Sequence, residues 1–346
     1  MSLSKLIQWS KAEFNLLPWR KNRSLYRTLV SEIMLQQTTV STVVNHYERF
    51  LTQFPDIESL AKASDEEMLI AWKGLGYYRR ARNLKKIAET IAGEFQGEFP
   101  KDLETLQSIP GIGPYTANAI VGIGMDKRAL AIDANLERVI ARLYGINTPK
   151  GLKLQKEIKD KFLNKEIFNE KVSFRNLNEA LMDLGRTFCQ ARKASCEICF
   201  MKNECRAFKS GKPLSLPTDL TVKTKAQEHE LSLLRLFVVK DGKILVYKKE
   251  DHEWLHGQYE VPTLILATTD DKLVQYQRLT KSFNTENLLK IKTSITKYKI
   301  TNFLHQIDEK KLKQFGFKPK LVWKSIDSSA SNFSTATLKG IKGLKL

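Results

Sequence analysis

Outside one short segment this chain has no cysteine, it has too few acidic residues to balance its basic ones, and it has no long apolar run. Each shortage removes a class of protein. No stretch approaches the roughly 20 apolar residues a membrane span needs, so a membrane protein is not expected. The N-terminus, MSLSKLIQWSKAEF, is amphipathic and lacks the apolar core of a signal peptide, which points to a soluble intracellular chain in a bacterial-type cytoplasm, close to the nucleoid. All four cysteines fall in one cluster, so a dispersed disulfide framework is excluded. Against 38 Asp and Glu stand 57 Lys and Arg, a net charge of +19. Such an excess seeks a polyanion, and nucleic acid is favoured over an anionic membrane surface. The bland alternative is a solvated surface of scattered lysines. No internal repeat or low-complexity tract is present.

A length of 346 residues predicts two domains, each able to bury a core. Residues 1–208 carry helical spacing: Leu29, Val30, Ile33, Met34 and Gln37 share one face, as do Leu136, Val139, Ile140 and Leu143. A Pro/Ser/Lys-rich stretch within residues 209–228 reads as a linker. Residues 229–346 read as α+β. An apolar run up to Lys240 and another from Lys243 to Lys249 flank an Asp241-Gly242 turn, and YKITNFLHQI and KLVWKSI are strand-like.

The cysteines Cys189, Cys196, Cys199 and Cys205 follow C-x6-C-x2-C-x5-C. Four thiolates suit tetrahedral zinc or an iron–sulfur cluster. One short knuckle with longer outer arms favours a single compact cluster; structural zinc and unligated buried thiols are the alternatives. Ser108-Ile109-Pro110-Gly111-Ile112-Gly113-Pro114-Tyr115 reads as a glycine-rich hairpin between helices. Gly111 and Gly113 would accept positive φ and leave backbone N–H groups open to a phosphate beside a helix N-terminus. The alternative is an ordinary tight turn. Asp133 precedes a helical pattern, where a carboxylate caps the helix and is stabilised as an anion. Glu32 lies in a largely apolar helix, where burial would keep a proton on it, although a solvent-facing glutamate is the plainer reading. Together the two would form the divergent carboxylate pair of acid-assisted glycosidic cleavage. Gln36-Gln37 and Tyr77-Tyr78, near Arg79, Arg80 and Arg82, could wedge into a base stack and hold its phosphates; core packing is the alternative for the tyrosines.

SEIMLQQT, GLGYYRRARNL, IPGIGPYTA, AIDANLERV, NEALMDLG and the cysteine quartet occur here in one order. In this the chain resembles the helix–hairpin–helix, iron–sulfur DNA glycosylases, and among them the adenine DNA glycosylases of the MutY type. The resemblance is strong over residues 5–208 and weaker beyond. It implies an all-α helix–hairpin–helix glycosylase domain with an iron–sulfur loop at 189–205 and a Nudix-like α+β lesion-recognition domain. It implies a [4Fe–4S] cluster on the four cysteines, and a monomer acting on double-stranded DNA with adenine opposite 8-oxoguanine or guanine. Glu32 would protonate adenine N7, Asp133 would stabilise the oxocarbenium-like sugar or bond to it transiently, and Asn135 would orient the site. Trp19, Arg20 and Glu179 would wall the adenine pocket, and Gln37 and Tyr77 would intercalate. Tyr115 stands where related glycosylase/lyases carry a lysine, and a phenol cannot form an imine, so base removal by water alone is implied. In the second domain Trp254 to Pro262 matches a Nudix strand–turn signature, but no glutamate-bearing helix follows, so pyrophosphatase activity is not implied. Ile295, Thr296 and Lys297 fall at the lesion-reading loop, where the family has a Phe-Ser-His type sequence; Thr296 keeps a hydroxyl and Lys297 offers a cation. Ala134 stands where the family usually has glycine. The competing readings are a bifunctional pyrimidine-lesion glycosylase/lyase and a catalytically silent iron–sulfur DNA-binding protein.

Overall fold

The computed structural model describes residues 3–220, 227–327 and 331–346; residues 221–226 of the expected linker lie outside them. The described residues divide into two compact units, residues 3–63 with 74–220, and residues 64–73 with 227–327 and 331–346.

The first unit is helical. Its chain runs through α1 (Leu3–Phe14), α2 (Leu25–Leu35), α3 (Val40–Gln53) and α4 (Ile57–Lys62). The next helix, α5 (Asp65–Ala71), clusters with the second unit. The first unit resumes with α6 (Arg79–Glu94), α7 (Leu103–Ser108), α8 (Pro114–Ala119), α9 (Ala134–Tyr144), α10 (Leu152–Leu163), α11 (Phe174–Thr187) and α12 (Arg206–Lys209). Ile120–Gly124 continue α8 as a π-helical turn. The apolar face of α9, with Leu136, Val139, Ile140 and Leu143, packs into one core with Leu6 of α1, Ile158 of α10 and Leu181 of α11. Each such side chain contributes about 1.5–3 kcal/mol on burial.

Ser24 starts α2 by accepting the Arg27 N–H at 3.1 Å, and every residue from Thr28 to Met34 is buried. The helix stops at Leu35, and Gln37, expected on its face, takes φ +55° instead. The cause is Arg80. Its guanidinium donates to the carbonyls of Ile33 (2.9 Å), Met34 (2.7 Å) and Gln36, and to those of Leu75 and Gly76. It thereby satisfies the orphan acceptors of the last turn of α2. Arg80 is therefore an internal cap, not the phosphate contact its neighbourhood suggested. Residues 216–219, within the expected linker, are tied to the first unit. Arg142 Nε donates to Leu216 O at 2.8 Å, Lys150 N to Thr218 O at 3.0 Å, and Lys150 pairs with Asp219 at 2.7 Å.

The second unit holds two sheets. Its strands are β1 (His229–Phe237), β2 (Val239–Lys240), β3 (Lys243–Lys248), β4 (Tyr259–Glu260), β5 (Thr263–Thr268), β6 (Gln277–Arg278), β7 (Leu289–Ile295), β8 (Tyr298–Gln306) and β9 (Leu321–Ser325), with α13 (Glu309–Lys313) and α14 (Thr335–Leu344). One sheet is ordered β6-β5-β1-β8-β7; in the other, β3 pairs with β2, β4 and β9. The Asp241-Gly242 turn is present with φ of 50° and 68°, as a primed hairpin requires. The run before it, however, breaks at Val238, so that β1 joins one sheet and β2 the other. Arg235, Glu260 and Lys249 form a buried ionic triad at 2.6 and 3.0 Å. Burial alone would raise the Glu260 carboxyl, but the two cations override it and pull it down to about 2. The segment after Pro262, Thr263–Thr268, is strand β5 and carries no acidic side chain.

Candidate active site

A cavity of about 480 Å³ opens in the first unit, lined by side chains from four elements far apart in sequence. Glu32 enters from α2, Tyr115 from α8, Asp133 from the N-cap of α9, and Glu179 from α11; Trp19, Arg20 and Asn135 are also part of its wall.

Glu32 is only 4% exposed, and the Tyr115 hydroxyl donates to its Oε2 at 2.5 Å. Burial pushes its carboxyl up to about 7; the Tyr115 hydrogen bond opposes the rise, and the charges of Asp133 and Glu179 add to it. Tyr115 itself is held well above the usual phenol range, chiefly by burial. Asp133 is fixed quite differently. Its Oδ1 accepts the backbone N–H groups of Asn135 (2.9 Å) and Leu136 (2.8 Å), and its Oδ2 accepts the Asn135 amide at 2.8 Å. Three donors and the positive end of α9 surround one carboxylate. Arg138 locks the Asn135 amide in turn, donating from Nη2 to its Oδ1 at 3.0 Å while Nε donates to Cys189 O at 2.7 Å. Orientation of the Asp133 site is thereby joined to the start of the cysteine loop.

Arg20 and Glu179 do not meet the cavity alone. Arg23 grips Glu179 with two bonds, 2.6 and 3.1 Å, and Arg20 lies 2.9 Å from Asp183. Asp183 also accepts the Ser10 hydroxyl at 2.5 Å and Arg186 Nε at 3.0 Å. Arg23, Asp183 and Arg186 escaped the sequence reading. The only available signal was the four-residue spacing of Glu179 and Asp183, which puts both on one face of α11.

The hairpin between α7 and α8 has Gly111 at φ +100°, where a Cβ would lie 3.2 Å from Ile87 Cγ1. Gly113 departs from expectation: its φ is −84°, and a Cβ there would meet nothing within 4 Å. It needs no special conformation and leaves open space before the first turn of α8. Gln37 and Tyr77 do not line the cavity. Both are exposed, Tyr77 by 62%, and both hold positive φ, 55° and 46°. In the second unit Thr296 and Lys297 form the exposed two-residue turn between β7 and β8, with Thr296 at φ +49° and Lys297 Nζ 3.8 Å from Asp270.

Cys189, Cys196, Cys199 and Cys205 line one small cavity of about 30 Å³ whose other walls include Leu143, Leu184, Phe188 and Met201. Arg142 Nη1 reaches Cys189 Sγ at 3.4 Å and donates to Gln190 O at 2.8 Å. Among the described residues no three Cys, His, Asp or Glu side chains are gathered as for a single metal ion. Four soft donors in an apolar chamber beside a guanidinium fit a polynuclear anionic cluster in donor chemistry.

Residues 30–163 match the family model of the HhH-GPD superfamily base excision DNA repair proteins. An adenine DNA glycosylase of Buchnera aphidicola is 36% identical over 202 residues, 58% of this chain and 57% of that one. A second Buchnera relative of that name is 34% identical over 250 residues, 70% of this chain and 66% of its own length. This chain thus spans less than two thirds of each. The adenine DNA glycosylase of Mycolicibacterium smegmatis is 32% identical over 280 residues, 80% of this chain and 94% of that one. Among solved structures, a thermostable thymine-DNA glycosylase superposes with a TM-score of 0.52 at 27% identity, over 60% of this chain and 95% of that one. A trapped endonuclease III–DNA covalent intermediate gives 0.50 at 24% identity, over 60% and 96%, a likeness of fold. With the mycobacterial relative matched over nearly its whole length, the chain belongs to the adenine DNA glycosylase family.

Proposed function

We propose that this protein is a monofunctional adenine DNA glycosylase that hydrolyses the N-glycosidic bond of adenine opposite 8-oxoguanine or guanine and leaves an abasic site. One observation carries the reading: Glu32 and Asp133 face one cavity of about 480 Å³ in unlike environments, the first buried with its carboxyl near 7, the second bound by three N–H donors. A base inside a duplex is out of reach, so the adenine must be flipped into the cavity.

Glu32 donates its proton to adenine N7. The C1′–N9 bond breaks, its electron pair goes to the base, and adenine leaves neutral. The Asp133 carboxylate stabilises the positive charge left on the sugar. Water then adds at C1′ and passes a proton to the Glu32 carboxylate, which restores the starting state. Trp19, Arg20 and Glu179 bound the base, and Asn135 holds Asp133 at its angle. Tyr115 offers a hydroxyl and no amine, so no Schiff base and no strand cleavage follow. Gln37 and Tyr77 are the residues that would enter the base stack. Gly111 and Gly113 would grip a phosphate by backbone N–H groups, a contact that positions without reading sequence.

The four cysteines would hold a [4Fe–4S] cluster, which would fasten the loop at 189–205 rather than take part in the chemistry. The second unit, Nudix-like in this reading, would read the opposite base with its β7–β8 turn, where Thr296 and Lys297 present a hydroxyl and a cation. The acting species would be a monomer on duplex DNA.

The test uses a duplex with labelled adenine opposite 8-oxoguanine, and a second with guanine. Strand cleavage only after hot alkali is expected. Cleavage before alkali would replace this reading with the glycosylase/lyase, and none at all would leave a DNA-binding protein.

A further inference from the structure

We infer that Asn178 and Gly122 together position Asp133 against Glu32, making Asn178 a positioning residue for base excision; this rests on the glycosylase reading above.

Asn178, on α11, is wholly buried and does not line the cavity. Its amide is spent on the chain that delivers Asp133. Ala131 N donates to Asn178 Oδ1 at 2.9 Å, and Asn178 Nδ2 donates to Ala129 O at 2.9 Å and to Phe174 O at 2.7 Å. Residues 129–133 belong to no helix or strand. The side-chain amide engages the carbonyl of residue 129 and the N–H of residue 131 as a neighbouring β-strand would. It does so two residues before the carboxylate.

The same segment is pressed from the other side. Gly122 lies in the π-helical turn that continues the Tyr115 helix, and a Cβ there would fall 2.6 Å from Ala129 O and 2.9 Å from Asn178 Nδ2. One turn earlier on α11, Arg175 donates to Ile123 O at 2.6 Å and Gly124 O at 2.8 Å, at the end of that π-turn. Helix α11 thus holds both the element whose Tyr115 contacts Glu32 and the element that ends in Asp133. The separation between proton donor and charge stabiliser is set where they meet α11.

Asn178→Ala removes the clamp, and Gly122→Ala displaces the same segment without deleting a polar group. In the full chain both should lower single-turnover excision by about 100-fold, the scale of an ångström-size misplacement, with duplex affinity retained; both should also melt lower, so rates are compared at a temperature where circular dichroism shows each variant fully folded. The pH profile separates positioning from mere support. Glu32 faces Tyr115 of α8, Asp133 at the α9 cap, Glu179 of α11, and Arg20. Withdrawal of the Asp133 charge lets the Glu32 proton leave more easily, so the basic limb of the rate should move to lower pH in both variants. The inference is overturned if either variant excises at the parent rate, if its pH limb stays in place, or if its rate loss tracks the unfolded fraction. A parent chain that excises no adenine would refute the glycosylase reading itself, and this role with it.

Discussion

Substituting Glu32 by glutamine tests the proposed acid most directly, because the amide keeps the shape and can still accept the Tyr115 hydroxyl. A carboxyl at the ordinary 4.5 would be protonated in about 0.3% of molecules at pH 7, and one at about 7 in about half. The buried site therefore multiplies the acid form at neutrality by roughly 150-fold. Glu32→Gln should lower single-turnover excision by about 10²–10⁴-fold, the usual worth of a general acid, and leave duplex affinity intact. In the parent chain excision should fall above pH 7, reaching about 1% of its plateau by pH 9. Stability should decline over the same range. The folded-state value lies above the unfolded one, so the contribution from Glu32 is greatest below pH 4.5 and declines as pH rises through about 7. The decline amounts to about 3 kcal/mol at most. Glutamine carries no such cost, so the variant should melt higher than the parent at pH 8 and converge with it near pH 4. A variant that excises at the parent rate, or a parent rate flat from pH 6 to 9, would refute the acid assignment.

Tyr115→Phe removes a hydrogen bond that holds the Glu32 carboxyl down, so the basic limb of its pH–rate profile should shift upward, the reverse of the Asn178→Ala shift. Gly111→Ala forces a side chain into φ +100° against Ile87; it should destabilise by about 1–3 kcal/mol, and salt titration should show weaker duplex binding with a flatter slope. Glu260→Gln leaves two buried cations short of their anion and should cost about 3–5 kcal/mol in the second unit. Because that carboxyl is depressed to about 2, its contribution in the parent is present above pH 4.5 and fades as pH falls through 2, which acid unfolding would record. Cys199→Ser should abolish visible absorption in the freshly purified protein; unchanged absorption would reject the cluster assignment.

What could be read in the sequence was local. The Asp133 cap announces itself by position before a helical pattern, and the Pro110–Pro114 hairpin by its glycines. Apolar neighbours on its own helix predict burial of Glu32 but do not exclude a solvent-facing side chain. Arg80 shows where such reading fails. It sits among basic residues beside two tyrosines, and nothing near it in sequence says that the end of α2 lies beneath its guanidinium. Arg23 and Glu179 are separated by 156 positions, Ser10 and Asp183 by 173, so their pairing was beyond any periodicity argument. The break at Val238 hid for another reason: strands that change sheets keep the same apolar texture on both sides.

The cavity gathers four acidic side chains, and the structure treats them in three ways. Glu179 and Asp183 are each neutralised by arginines, Arg23 and Arg20 on one side and Arg20 and Arg186 on the other. Asp133 is served by N–H dipoles without a cation in direct contact. Glu32 alone is given neither; among the described residues it has no ion-pair partner, and its one hydrogen-bond donor is a phenol. A buried carboxyl with no counter-ion is most cheaply neutralised by a proton. The four neighbouring ion pairs make this selective, since they leave Arg20, Arg23 and Arg186 engaged, and the pull of Arg20 on the Glu32 carboxyl is the smallest of the influences on it. An arginine wall that binds other acids is thus part of what keeps the proton on Glu32. Breaking that wall, as Asp183→Asn would by releasing Arg20, should lower the Glu32 carboxyl and move the basic limb of excision to lower pH, although Asp183 itself donates nothing to the base. A limb that stays in place would mean that the arginines only support the fold.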